Sequence, residues 1–98
     1  MILEVATLDV RPGQEIAFEA AFREASRIIS SMHGYVSHEL QRCVETKHRY
    51  LLLVKWQTLE DHIVVFRQSA EYQQWKLLLH HFYDPFPSVE HYQRIAFD

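Results

Sequence analysis

The chain has 98 residues, 48% hydrophobic and 13% aromatic, with 10 Lys and Arg against 13 Asp and Glu. That is one domain, residues 1–98, with enough apolar material for a core, and disorder is excluded. The net charge of −3 argues against nucleic acid as a partner, and the longest apolar run, Tyr50 to Val54, excludes a membrane helix, which needs ~20 residues.

Residues 2–10 predict a strand. Its two faces, Ile2, Glu4, Ala6, Leu8, Val10 and Leu3, Val5, Thr7, Asp9, both carry apolar residues. Arg11-Pro12-Gly13 ends it as a turn. Over 14–32 the period becomes helical, with Phe18, Phe22, Ala25, Ile29 and Met32 on one face. His33-Gly34 is the expected stop, with Gly34 suited to a left-handed cap. Residues 35–45 and 49–57 predict two further strands joined by a polar connection, and the second is apolar on both faces. Thr58-Leu59-Glu60-Asp61 matches a capping box that opens a helix, with Leu59, Ile63 and Phe66 as its apolar stripe. Ser69 starts a second helical piece carrying Tyr72, Trp75, Leu79 and Phe82. Asp84-Pro85-Phe86-Pro87 breaks it, and 88–97 returns as a last strand.

The order β-α-β-β-α-β, with a split second helix, is an α+β ferredoxin-like arrangement with both helices on one face of the sheet. Strands with apolar residues on both faces fit that fold if a second copy covers the open side. At ~25 cal/mol per Å² a wet apolar face forgoes several kcal/mol. A homodimer is therefore expected.

Trp56, Leu59-Glu60-Asp61-His62, Phe66-Arg67, Ser69, Tyr72, Trp75, Phe82-Tyr83-Asp84-Pro85-Phe86-Pro87 and Val89-Glu90-His91-Tyr92 together resemble the antibiotic biosynthesis monooxygenase (ABM) family. The resemblance implies a dimeric α/β barrel of two ferredoxin-like protomers. It also implies, for members named by function, cofactor-free oxygenation of polyketide-type aromatics. Other members degrade haem, isomerise signalling sugars or oxidise quinols. The haem-degrading branch uses an Asn, a Trp and a His where this chain holds Ala6 or Thr7, Phe66 and Lys76, so that scheme is not carried over.

Cofactor-free oxygenation needs a base, a flat pocket and a partner for an oxyanion. A neutral His suits the base. His62 and His91 are the candidate catalytic residues, lining a pocket between helices and sheet. The alternative is that His62 bonds backbone locally and His91 pairs across a dimer. Trp56, Phe66, Arg67, Tyr72, Trp75, Phe82 and Tyr83 are the candidate substrate-binding residues. For Trp56, Tyr72, Trp75 and Phe82 the alternative is plain core, for Tyr83 plain surface, and for Arg67 a surface or interface ion pair.

No cofactor is expected. Only Gly13 and Gly34 are present, which removes any nucleotide-binding glycine loop. No metal is expected either, because adjacent His80 and His81 diverge on a helix and Cys43 stands alone. That lone Cys43, with no basic leader before Ile2, fits a cytoplasmic location. The expected function is monooxygenation of a small phenolic, anthrone or quinol-type aromatic. The alternative is a non-catalytic, stress-associated dimer that binds a small molecule.

Overall fold

The structure is a computed structural model that describes residues 1–97. Four strands form one antiparallel sheet: β1 (Ile2–Asp9), β2 (Tyr35–Arg42), β3 (Arg49–Trp56) and β4 (Ser88–Tyr92), in the order β2-β3-β1-β4. Helices α1 (Glu15–Ile29) and α2 (Ala70–Leu79) cover one face. Between β3 and α2 lies a wide helical turn, Asp61–Phe66, and after α2 a 3₁₀ turn, His80–Phe82. This is the expected ferredoxin-like α+β fold. No helix among the described residues is long and apolar enough to cross a membrane.

The strand period of two sorts the side chains. On β1, Glu4, Ala6 and Leu8 are buried toward the helices, with Val10 just past its end, and on β3 so are Tyr50, Leu52, Val54 and Trp56. From α1, Phe18, Phe22, Ala25 and Ile29 meet them as the spacing predicts. Phe18 is the hub, 4.9 Å from Tyr50, 5.7 Å from Phe82 and 5.9 Å from Tyr83, ring centre to ring centre. On the opposite face Leu3, Val5, Leu51 and Leu53 remain half-buried with no helix over them.

Several boundaries fall short of expectation. Helix α1 ends at Ile29, not Met32. The hydroxyls of Ser26, Ser30 and Ser31 donate back to the carbonyls of Arg23, Arg27 and Ile28, which favours turn over helix. Gly34 does adopt positive φ (+81°), at the entry to β2. β2 stops at Arg42: the Cys43 N–H still reaches the Arg49 carbonyl at 2.8 Å, but the Arg49 N–H donates to the Thr46 carbonyl at 3.0 Å and closes a turn instead of returning the bond. β4 stops at Tyr92, not Phe97: its pairing with β1 ends with Leu3 opposite Tyr92.

The stripe Leu59, Ile63, Phe66 is also revised. Asp61, His62 and Phe66 are the buried residues of that turn. The Arg67 N–H reaches back five residues to the His62 carbonyl at 3.2 Å, so the turn is wider than an α-helix and its inward face changes. The capping box itself forms. The Asp61 N–H donates to Thr58 Oγ1 at 3.2 Å, and the Thr58 N–H donates to Asp61 Oδ2 at 3.2 Å. Ser69 caps α2 by accepting from the Tyr72 N–H at 3.0 Å.

Candidate active site

The site begins with an anomaly in β1: a carboxylate in an apolar row. Glu4 shares its face with Ala6, Leu8 and Val10 and is 5% exposed. Opposite it on β4 the register places His91, and diagonally on β3 it places Trp56. The wide turn brings His62, 4% exposed, over all three.

The contacts form a chain. The Trp56 indole N–H donates to Glu4 Oε1 at 3.0 Å, and the same oxygen lies 3.3 Å from His62 Nε2. On its other side His62 Nδ1 lies 2.8 Å from His91 Nε2. Trp56 also stacks on the His62 ring, centroids 5.3 Å apart and 17° from parallel. One indole thus fixes both the carboxyl and the imidazole. All these contacts of Glu4 use Oε1, which leaves Oε2 for a bound molecule.

Burial governs the electrostatics. It pushes the Glu4 carboxyl up to about 7, against the opposing pull of the Trp56 hydrogen bond and the Arg67 charge. It pushes His62 down to about 3, helped by the positive charge of Arg67 and of His91. Both shifts favour neutral forms, so Glu4 and His62 share one proton rather than form an ion pair. The group that titrates near neutrality is the carboxyl, not the imidazole. His91 is also lowered, first by burial and then by Arg67.

Glu4 and His62 open onto a cavity of about 370 Å³ under the helices. Its walls include Phe66, Arg67, Tyr72, Trp75, Tyr83 and His80. The size suits a small organic ligand. Burial raises the Tyr83 phenol well above its ordinary range, reinforced by the nearby Glu4 charge, so it stands as a neutral hydroxyl. His80 is lowered by burial and by Lys76, and it packs edge-on against Phe86 with centroids 5.1 Å apart.

Of the residues singled out from sequence, His62, Phe66, Arg67, Tyr72, Trp75 and Tyr83 line this one cavity. His91 joins it through His62. Trp56 and Phe82 lie behind the wall: Trp56 supports Glu4 and His62, and Phe82 packs on Phe18. Glu4 and His80 were missed. Glu4 had a signal, a lone charge in the row Ile2, Ala6, Leu8, Val10. His80 had none beyond its residue type. The three linked side chains run in series and do not converge on a point. Among the described residues no group of three His, Cys, Asp or Glu is arranged to hold a metal.

The model of the antibiotic biosynthesis monooxygenase family matches residues 1–77. An uncharacterized Bacillus subtilis protein, YczJ, is 57% identical over 95 residues, covering 97% of this chain and all of that one. A candidate antibiotic biosynthesis monooxygenase of Bordetella bronchiseptica has a solved structure with TM-score 0.93 and 37% identity, covering 97% of each chain. SnoaB of Streptomyces nogalater, a cofactor-independent oxygenase, aligns at TM-score 0.82 over 98% of this chain and 94% of its own, and at 14% identity that likeness concerns fold alone. With its first 77 residues matched by the family model and a 57% identical relative matched end to end, the chain belongs to the antibiotic biosynthesis monooxygenase family.

Proposed function

We propose that the protein is a cofactor-independent monooxygenase for a small ionisable aromatic of the phenol, anthrone or quinol type. The observation that carries this reading is Glu4, a buried carboxyl tuned to about 7 inside an aromatic cavity. A base poised there suits proton removal at neutral pH. Phe66, Tyr72 and Trp75 form walls for a flat ring, and Arg67 and Tyr83 supply a cation and a hydroxyl donor for its oxyanion.

For an anthrone the steps balance without another reductant. Ionised Glu4 takes a proton from the ring CH₂. The resulting anion transfers electrons to O₂, one at a time, and a C–O bond forms. Glu4 returns its proton to give a hydroperoxide. Removal of the remaining C–H proton then breaks the O–O bond and leaves a ketone, while hydroxide takes the proton back as water. Both electrons needed to reduce one oxygen atom to water come from the substrate. The Trp56 indole N–H holds Oε1 throughout, which leaves Oε2 to meet the substrate.

Two features support a homodimer. Leu3, Val5, Leu51 and Leu53 form an apolar stripe on the uncovered sheet face. Ile95 and Phe97, 70% and 90% exposed in the single chain, extend past β4 as further apolar surface. Two copies packed by these faces would bury both.

The deciding experiment is oxygen uptake by purified protein with an anthrone and a quinol panel. Uptake should equal product formation one to one, and Glu4→Gln should lower kcat/KM by about 10²–10⁴, the usual worth of a general base. An aromatic that binds tightly but never consumes O₂ would leave a binding protein instead.

A further inference from the structure

We infer that Glu4, His62 and His91 form a proton relay, through which the carboxyl inside the cavity exchanges one proton with solvent at the outer edge of the sheet. The inference rests on the reading of Glu4 as the base of the site. It extends that reading to His91, which does not itself line the cavity.

The three side chains stand in series. Glu4 Oε1 lies 3.3 Å from His62 Nε2, and His62 Nδ1 lies 2.8 Å from His91 Nε2. Each imidazole thus presents one nitrogen inward and the other outward. β4 is an edge strand, and His91 is only partly buried, so its Nδ1 is the end of the path nearest water. Glu4 itself is 5% exposed, and a bound ring would close what remains.

The His62–His91 hydrogen bond, together with the Glu4–His62 contact once a small turn of the imidazole aligns it, allows two arrangements. With Glu4 ionised, His62 Nε2–H donates to Oε1, and His91 Nε2–H donates to His62 Nδ1. With Glu4 protonated, the carboxyl donates to His62 Nε2, and His62 Nδ1–H donates to His91 Nε2. His91 then carries its proton on Nδ1. The two arrangements differ by one proton, taken up or released at His91 Nδ1. Three protons shift by one bond each, no heavy atom moves far, and neither ring becomes a cation.

The surrounding groups keep the rings neutral. The titratable side chains sharing the cavity with Glu4 and His62 are Arg67, Tyr72, His80 and Tyr83, and α1 contributes none. Of these Arg67 is the fixed charge, and it disfavours a second cation on His62 or His91. The burial of His62 acts in the same direction. A proton crossing this segment therefore passes by exchange of tautomers rather than by resting on an imidazolium.

Nitrogen NMR of the resting protein tests the relay apart from any oxygenase activity. With ¹⁵N-His and ¹³C-Glu labels, spectra are compared one pH unit either side of the Glu4 midpoint. The N–H and bare-nitrogen signals should exchange places on both His62 and His91, at the midpoint of the Glu4 carboxyl. Glu4→Gln should abolish that step in both rings. Rings that keep one tautomer while Glu4 titrates overturn the relay, as does a concerted step that survives Glu4→Gln. Absence of O₂ uptake with every aromatic tried would instead sink the oxygenase reading and leave this result standing.

Discussion

At the scale of single residues, Glu4 is a compromise between stability and chemistry. Its folded pKa, about 7, lies above the value of 4.5 expected when unfolded. Between those values the folded state binds more protons, so stability falls as pH rises from about 4.5 and levels off above 7. Glu4→Gln removes that loss. Its melting temperature should match the parent near pH 4.5 and exceed it at pH 8, by an amount equivalent to about 1–3 kcal/mol. Equal melting curves at pH 8 would mean the carboxyl is not desolvated. His62 has the opposite sign: with a folded pKa of about 3 against 6.5, it withdraws stability as pH falls below 6.5. Trp56 tunes Glu4 through its indole N–H, which lowers the carboxyl pKa. Trp56→Phe should therefore move the rising limb of kcat/KM to higher pH, as a pH–rate profile would register. An unmoved limb would deny the indole this role. Sequence reasoning chose the two imidazoles because a free His titrates near 7. It passed over Glu4 because the burial that raises its carboxyl pKa is invisible until β1, β3 and the wide turn are assembled.

At the scale of elements, the turn Asp61–Phe66 decides where the chemistry sits. The capping residues Thr58 and Asp61 were legible, since hydroxyl and carboxylate three apart have few other uses. The five-residue hydrogen bond from Arg67 to His62 was not. It comes from fitting the segment between β3 and α2, a tertiary demand that no local spacing records. Nor was the tight seat of that turn on Gly34. A Cβ at Gly34 would collide with the Asp61 carboxylate, and the φ of +81° there already excludes most residues. Gly34→Ala should destabilise the protein by about 1–3 kcal/mol in urea unfolding. It should also displace the turn, so His62 loses its contact with His91 and activity falls further than stability alone explains. A variant with parental stability and activity would show that the seat can yield. By contrast, the α1 face of Phe18, Phe22, Ala25 and Ile29 was legible to the residue, because burial against a sheet is what its period encodes.

At the scale of the whole molecule, the described chain measures 43 × 35 × 20 Å. Its shortest dimension is about one sheet plus one layer of helices, spaced ~10 Å apart, so the far side of the sheet has no layer of its own. That is the side bearing Leu3, Val5, Leu51 and Leu53. The two-faced apolar strands announced this in the sequence. If two copies close it, Phe97→Asp should weaken the dimer by placing a charge where an apolar contact forms. Sedimentation at micromolar concentration should then show a shift toward monomer, with a lower melting temperature. Unchanged mass and melting would remove the C-terminal segment from the interface, and a stable parental monomer would remove the dimer itself. Residues 93–97 leave the sheet, so sequence reasoning that extended the last strand to Phe97 overstated the pairing but not the apolar character.

The pairing of Glu4 with His91 across β1 and β4 has a consequence for assembly in time. In synthesis Glu4 emerges long before His91, the outer end of the proposed proton path. β3 can dock on β1 as soon as residue 56 is made, but the edge beside Glu4 stays bare until the chain has turned back through Pro85 and Pro87. Contacts so distant in sequence form slowly. A ribosome-bound or C-terminally clipped chain would hold α1, β2 and β3 together while Glu4 sits beside an empty strand position. Appearance of the coupled titration would then mark completion of folding more sharply than helix content does.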